Sequence, residues 1–210
     1  MKIKQITDNI DDILVGATFL GNGASKEAYE KNGIVYKVPR GRYLIERLNL
    51  PKELPNQMDE VDDYLEKIYE QNDQMVWPLG QFAIELIVWN AIKQLEEDGL
   101  DISCFARITD YYYDKEGVLV IEQESTRNFC EDYDRNMLLL EKTIEEIKML
   151  NVVLEERFDI RITDVHSYNC GYVNGKIKLF DFGISKGTNL YSYDSYDRDE
   201  EYEDCEDYVI

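Results

Sequence analysis

Residues 13–39 read ILVGATFLGNGASKEAYEKNGIVYKVP, and this stretch decides how the main sheet begins. An apolar run, ILVGATFL, ends at the turn residues Gly21, Asn22 and Gly23. Two further runs, KEAYEK and IVYKVP, flank Asn32-Gly33, and Asn-Gly between two such runs is a strong signal for a tight β-hairpin. We therefore predict a strand, a glycine turn, a second strand, a hairpin and a third strand.

Two helices are predicted after these strands. Residues 41–80 form a charged insertion that is punctuated by prolines, Pro51, Pro55 and Pro78. Within the insertion, apolar residues recur at helical spacing and predict a short amphipathic helix: Met58, Val61, Leu65 and Ile68. Residues 81–97, QFAIELIVWNAIKQLEE, predict a longer helix, whose apolar face includes Phe82, Leu86, Trp89 and Ile92.

The rest of the pattern completes an α+β chain. Residues 106–114 and 117–124 are predicted to be two antiparallel strands joined at Asp114–Gly117. Residues 136–157 predict the longest helix, with an apolar stripe through Leu139, Thr143, Ile147 and Leu150. A short hairpin follows, with its turn at Asn174-Gly175. The prediction is a five-stranded sheet with an inserted helix, then a helical part that carries a small hairpin.

Composition excludes several classes of protein. The 210 residues are 44% hydrophobic, which is typical of a folded protein and not of a fully disordered one. With 23 basic and 44 acidic residues the net charge is −21, which argues against binding to nucleic acid or to an anionic membrane surface. No run of eighteen apolar residues occurs, and residues 1–16 lack the apolar region of a signal peptide, so we expect a cytoplasmic protein.

The cysteine and histidine content is also informative. The four cysteines lie far apart without a C-x-x-C pair, so we expect reduced thiols and neither a disulfide framework nor a zinc site: Cys104, Cys130, Cys170 and Cys205. His166 is the only histidine, which gives a His-rich metal centre or a Ser-His-Asp hydrolase little basis.

Residues 191–210 form an acidic, tyrosine-rich tail. This segment holds nine acidic residues against the single basic residue Arg198, and five tyrosines. Because it has almost no aliphatic residues before Val209, we predict a disordered tail. An alternative interpretation is a docking or autophosphorylation segment, since its hydroxyls lie near a candidate active site in the sequence.

Four features that carry chemistry follow one another along the chain. Gly21-x-Gly23 follows a predicted strand, Lys37 lies inside an apolar strand, and Glu85 lies on the long helix after it. Asp164-Val-His166-Ser-Tyr-Asn169 is then followed by Asp181-Phe182-Gly183. Each feature alone has an ordinary structural explanation. In this order, and with the predicted elements between them, they resemble the protein-kinase-like superfamily.

The resemblance covers roughly residues 15–186. LGNGASKEAY resembles the glycine-rich loop, GIVYKV the strand of the catalytic lysine, VLVIEQES the strand before the hinge, and ITDVHSYN and KLFDFG the catalytic and metal-binding loops. The D-x-H-x-x-N form is closer to atypical and small-molecule kinases, such as the RIO and aminoglycoside phosphotransferase groups. The resemblance implies an N-terminal lobe over 1–124, a reduced C-terminal lobe over 125–190, and the tail.

The resemblance assigns ATP contacts to several residues. Gly21, Gly23 and Ser25 would lie against the phosphates, because glycines let backbone N–H groups approach phosphate oxygens. Lys37 would contact the α- and β-phosphates, with Glu85 holding its ammonium in place. By position, adenine would bond the carbonyl of Glu122 and the N–H of Glu124.

The resemblance also assigns the catalytic and metal-binding groups. Asn169 and Asp181 offer oxygen ligands suited to Mg²⁺ that also bridges phosphates. Asp164 would accept the proton of the acceptor hydroxyl. His166 stands where ordinary protein kinases have a lysine and would contact the γ-phosphate.

Departures from the family pattern leave three functions open. Lys26 replaces the third loop glycine, Thr163 replaces the arginine before the catalytic aspartate, and only 27 residues follow Gly183. The first hypothesis is an ATP- and Mg²⁺-dependent phosphotransferase, with a hydroxyl on a protein as acceptor. The second is a pseudokinase that binds nucleotide or regulates a protein partner. The third is a small-molecule kinase for a cationic acceptor, which the negative charge would suit.

Overall fold

A computed structural model of the protein describes residues 1–47, 53–126 and 133–182, and it shows an α+β chain. The α+β class and the five-stranded antiparallel sheet are therefore confirmed. The predicted tail over 191–210 and Gly183 of the D-F-G tripeptide lie outside the described residues.

The main sheet contains three strands that precede the inserted helices in the chain and two that follow them. Its strands are β1 (Thr18–Asn22), β2 (Lys26–Lys31), β3 (Ile34–Pro39), β4 (Ile108–Tyr113) and β5 (Leu119–Glu124). They lie in the order β1-β2-β3-β5-β4, and all neighbours are antiparallel. The β2–β3 hairpin turns at Asn32 and Gly33, whose φ angles of 55° and 80° are those that a tight Asn-Gly turn requires.

The prediction that a strand begins near residue 13 is wrong. Ile10–Ile13 is instead a single helical turn, α1, and β1 begins at Thr18. The Asn9 side chain accepts a hydrogen bond from the Asp11 N–H at 2.7 Å and so caps this turn. The chain then reverses through Gly16, whose φ of +78° is unfavourable for residues with a Cβ.

The inserted helix is confirmed, and the long helix begins earlier than predicted. Helix α2 spans Val61–Tyr69 after a short 3₁₀ turn, and the four apolar residues that predicted it are all buried. Helix α3 spans Val76–Glu97, so Pro78 lies inside its first turn and does not end the preceding segment. Proline is tolerated there because the first N–H groups of a helix have no partner within the helix.

Helix α3 lies at the centre of the protein. All four residues predicted for its apolar face are buried, and so are residues on its other faces, including Glu85. The segment Asp73–Glu97 is long and apolar enough to cross a membrane, by length and composition alone. Its most apolar window is 83% buried within the protein, as in the core helix of many folds, so this is weak support for a membrane span.

Helix α4 packs against the small hairpin. It spans Tyr133–Phe158, and its buried face includes Leu140, whereas the predicted Leu139 is only partly buried. The Thr143 hydroxyl lies on this face and donates to the Ile177 carbonyl at 2.9 Å. The hairpin consists of β6 (Cys170–Val173) and β7 (Lys176–Leu179), and it turns at Asn174 as predicted.

Backbone hydrogen bonds join the hairpin to the segment before β4. The Leu179 N–H donates to the Cys104 carbonyl, and the Ala106 N–H donates to the Leu179 carbonyl, both at 2.8 Å. One contiguous cluster of buried side chains runs from Ile3 to Phe182. This connection brings the residues after β7 to the main sheet and α3. The division of the chain into two lobes at residue 124 stays a prediction.

Candidate functional site

A buried ion pair lies between β3 and α3. The Lys37 ammonium contacts Glu85 Oε1 at 2.5 Å and donates to the Phe180 carbonyl at 2.7 Å. The two side chains are only 5% and 2% exposed. The predicted Lys37–Glu85 ion pair is therefore present. Two charges this deeply buried require each other, because an unpaired buried ion costs several kcal/mol in desolvation.

A second lysine completes the cluster. The Lys26 ammonium lies 2.7 Å from Glu85 Oε2 and 2.5 Å from Asp181 Oδ1, so it bridges two carboxylates. Lys26, Lys37, Glu85 and Asp181 are called the buried charge cluster below. With two ammonium groups and two carboxylates, its formal charges cancel.

The strand register explains why Lys26 faces Lys37. Across the hairpin, Lys37 lies opposite Ala28, and Lys26 precedes Ala28 by two residues on the same strand. Directly opposed residues in antiparallel strands share a face of the sheet, as do residues two apart. Lys26 and Lys37 therefore project from one face of the hairpin, toward α3.

The charges in the cluster shift one another's ionisation. Burial lowers the pKa of Lys37. Burial opposes ionisation of Lys26 as well, but the charges of Glu85 and Asp181 outweigh it and raise the pKa of Lys26. Burial alone would raise the pKa of Asp181, yet Lys26, followed by Lys37, lowers it to about 2. Asp181 is therefore a carboxylate at neutral pH.

Phe182 anchors the chain next to Asp181. Its ring is 2% exposed, stacks on Trp89 of α3 with centroids 6.2 Å apart, and meets Phe105 edge-on at 5.8 Å. Such aromatic contacts add to the stabilisation that burial itself provides. They hold the backbone on one side of Asp181 in place and so direct its carboxylate to the cluster.

A separate group, called the loop cluster below, consists of the residues that the resemblance assigns to the catalytic loop: Asp164, His166 and Asn169. Asn169 Nδ2 donates to Asp164 Oδ2 at 2.8 Å, and His166 Nε2 lies 3.0 Å from Asp164 Oδ1. The Asp164 and His166 side chains are 57% and 46% exposed. The short 3₁₀ turn Ser167–Asn169 leads directly into β6. The Phe180 N–H donates to the Asn169 carbonyl at 2.9 Å, which places this loop beside the segment that carries Asp181.

The glycine-rich turn is closed by its own hydrogen bonds. The Gly23 N–H donates to the Lys26 carbonyl at 2.8 Å, and the buried Ser25 accepts at its carbonyl from the Arg40 N–H at 2.9 Å. The strand pairing is irregular between Phe19 and Gly21. The Gly23 N–H is thus occupied here, and a phosphate contact with it would require the turn to open.

The predicted adenine contacts fall on residues that are already paired. The Glu124 N–H donates to the Arg107 carbonyl at 2.8 Å, and its carboxylate pairs with Lys178. The Glu122 carbonyl accepts from the Thr109 hydroxyl at 3.3 Å. Because β5 has a neighbouring strand on both sides, an adenine could reach the Glu124 N–H only if its bond to Arg107 broke.

The described residues offer few ligands for a metal. Within residues 1–47, 53–126 and 133–182, no group of three or more His, Cys, Asp and Glu side chains is arranged to hold a metal ion. The predicted ligands Asn169 and Asp181 supply oxygen donors, the type that Mg²⁺ prefers. Mg²⁺ usually binds through one or two carboxylates together with phosphates and water, so this donor set fits a metal that arrives with a nucleotide.

Lys26 is the site residue that the sequence interpretation missed. The sequence identified it as a departure from the glycine-rich loop and gave it no place in the site. The signal was present in the Asn32-Gly33 hairpin, because its register alone puts Lys26 and Lys37 on one face. Contact with Asp181, 155 residues away, could not be read from any local pattern.

No protein-family model matches the chain, and a search of curated proteins finds no match.

Proposed function

We propose that the protein is an ATP- and Mg²⁺-dependent phosphotransferase that transfers the γ-phosphoryl group to a hydroxyl on a protein. The observation that carries the proposal is the buried Lys37–Glu85 ion pair, with Asp181 joined to it through Lys26. Burying Glu85 together with two lysines costs desolvation energy, and a fold alone does not require these charges. In a site for a triphosphate and its metal, the ammonium groups would contact phosphate oxygens and a carboxylate would bind the metal.

Each group then has a role that follows from its chemistry. Lys37 would place a positive charge at the phosphates, with Glu85 fixing the direction of its ammonium. Asn169 and Asp181 would hold Mg²⁺, which would neutralise charge on the phosphate oxygens. The acceptor oxygen would bond to the γ-phosphorus as the bond to the β-phosphate oxygen breaks, with ADP as the leaving group and the hydroxyl proton passing to Asp164.

The exposure of the loop cluster supports a large acceptor. Asp164 and His166 are about half exposed, on a loop rather than inside a cavity. A hydroxyl on a protein surface could approach Asp164 directly. The nearby backbone contact between Asn169 and Phe180 keeps this loop next to the proposed phosphate site.

A pseudokinase that binds a protein partner is the second candidate, and one observation favours it. In this structure the Lys26 ammonium forms an ion pair with the Asp181 carboxylate, and the Gly23 N–H donates to the Lys26 carbonyl within its own turn. Both groups would have to move before nucleotide and metal could bind in the proposed way. A module that keeps the fold and regulates a partner would not need that rearrangement.

Calorimetry with Mg·ATP and a transfer assay with labelled ATP separate the two candidates. Asp181→Asn should weaken Mg·ATP binding and abolish transfer, because it removes a metal ligand. Asp164→Asn should leave nucleotide affinity nearly unchanged and lower turnover by roughly 10²–10⁴, the usual range for loss of a general base. Asp12→Asn, at an exposed position on α1, is the matched control and should behave as wild type.

Two results would overturn the phosphotransferase proposal. Nucleotide binding without transfer by the wild-type protein, alone or with a cell lysate as a source of acceptors, would favour the pseudokinase. If the wild-type protein bound no nucleotide at all, the proposed ATP site would be wrong and only the description of the α+β fold would stand.

A further inference from the structure

Lys26 occupies a position at Asp181 that a metal ion would need. Its ammonium lies 2.5 Å from Asp181 Oδ1 and 2.7 Å from Glu85 Oε2, and its side chain is only 12% exposed. The Asp181 side chain is 39% exposed, so solvent ions can reach this carboxylate. An ammonium and a divalent cation therefore compete for the same carboxylate.

The charge balance of the cluster favours the ammonium while no nucleotide is bound. Two lysines already neutralise Glu85 and Asp181. A divalent cation added to this site would meet two ammonium groups at close range and two carboxylates that those ammonium groups already neutralise. Repulsion between the added cation and the two ammonium groups is strong because the site is partly buried, and solvent screens charges less there than at an open surface.

We propose that Lys26 is a resident cation that keeps divalent metal off Asp181 until a nucleoside triphosphate binds. The inference rests on the proposed function and deepens it by setting the order of binding. The triphosphate brings several negative charges, which draw the Lys26 ammonium from the carboxylates to the phosphate oxygens. Asp181 then becomes free to bind the metal that accompanies the nucleotide.

The two lysines differ in their freedom to move. Lys37 is in the middle of β3, between two paired strands, and is held by both Glu85 and the Phe180 carbonyl. Lys26 is the first residue of β2, directly after the turn at Gly23. Its long side chain can turn about its own bonds without breaking the strand pairing. Lys26 is therefore the lysine suited to exchange between carboxylate and phosphate.

Metal binding without nucleotide tests the proposal directly. Mn²⁺ serves as the probe, because it prefers oxygen ligands as Mg²⁺ does and its binding can be followed by electron paramagnetic resonance as well as calorimetry. Wild type should bind Mn²⁺ weakly. Lys26→Met should bind it at least about tenfold more tightly, because the competing charge is gone while an unbranched side chain of nearly the same length is kept.

Two control variants separate charge from shape. Lys26→Arg keeps the positive charge and should bind Mn²⁺ as weakly as wild type. Lys31→Met removes a lysine at the far end of β2, whose ammonium donates to the Ile13 and Val15 carbonyls, and should also match wild type. Circular dichroism and thermal melting establish that each variant is folded, and Lys26→Gln replaces Lys26→Met if that variant is not.

Nucleotide should reduce the difference between the variants. With the triphosphate bound, Mn²⁺ affinity should rise in wild type toward that of Lys26→Met. If folded Lys26→Met binds Mn²⁺ no more tightly than wild type, or if Lys26→Arg gains affinity equally, the proposal is wrong. The measurement with metal alone does not depend on the proposed activity. If the phosphotransferase proposal were wrong, the wild-type protein would instead fail to bind nucleotide or to transfer phosphate.

Discussion

The buried charge cluster and the loop cluster contain similar side chains in opposite surroundings. In the first, Glu85 is 2% exposed and each of its carboxylate oxygens contacts a different lysine. In the second, Asp164 is 57% exposed and contacts only near neighbours in sequence, His166 and Asn169, among the described residues. One group is assembled by the tertiary fold, and the other by a single loop.

The difference indicates which charges are coupled to the stability of the fold. A buried ion that loses its partner keeps the cost of desolvation, so the buried charge cluster is coupled to stability. Exposed ion pairs contribute little, because water replaces the lost partner. We expect substitutions in the first group to change stability as well as chemistry, and substitutions in the second to change only chemistry.

The largest expected effect is that of Glu85→Gln on folding. This change leaves two ammonium groups facing a neutral amide in the buried charge cluster. The free energy of unfolding should fall by roughly 3–5 kcal/mol, as when one partner of a buried pair is removed. Denaturant unfolding followed by circular dichroism measures it.

Glu96→Gln is the matched control on the same helix. Glu96 pairs with Arg107, but their side chains are 39% and 52% exposed, so the loss should stay within about 1 kcal/mol. Equal losses in the two variants would show that burial does not distinguish these pairs.

An intermediate effect is expected in the titration of Asp181. Its pKa should lie at about 2, below the ordinary 3.8, and it should move back toward 3.8 in Lys26→Met, which removes the strongest favourable charge. The stability that the ionised group contributes is fully present above pH 3.8 and is lost as pH falls through about 2.

Carboxyl-carbon chemical shifts, measured by NMR between pH 1.5 and 5 (roughly the window that spans both pKa values), follow Asp181 itself. A pKa that stays unchanged in Lys26→Met would mean that the Lys26–Asp181 ion pair does not form in solution.

The smallest effect is that of Asp164→Asn on stability. The substituted side chain is exposed and isosteric, so the free energy of unfolding should change by less than about 0.5 kcal/mol. Thermal melting beside wild type checks this. A loss as large as that of Glu85→Gln would place Asp164 among the groups that hold the fold and would remove the contrast between the two clusters.

Much of the fold was predictable because its signals are local. Asn32-Gly33 specifies its own hairpin, since few residue pairs adopt the backbone angles of that turn. The spacing of Val61, Leu65 and Ile68 predicts α2, because a helix with that spacing buries one face. The start of α3 was missed, because Pro78 is compatible both with a break and with the first turn of a helix.

The sequence interpretation named Lys37, Glu85 and Asp181 of the buried charge cluster but missed Lys26 and the contacts that join it to them. Lys37 and Glu85 were paired from the resemblance, and the ion pair is present. The adenine contact at Glu124 was assigned by position, without knowing that its N–H is bonded to the Arg107 carbonyl in the sheet. Whether a backbone N–H such as that of Glu124 is already hydrogen-bonded depends on which strands become neighbours. The order of the strands along the chain does not specify this.

The sequence by itself determined most of the strands, helices and turns, because periodicity and turn chemistry act between residues that are close along the chain. It also determined that Lys26 and Lys37 share a face, through the register of one hairpin. Only the tertiary structure decided that Lys26 contacts Asp181. That contact exists because β7, paired to the backbone at Cys104 and Ala106, places Asp181 beside the sheet, and because its carboxylate attracts the nearest ammonium.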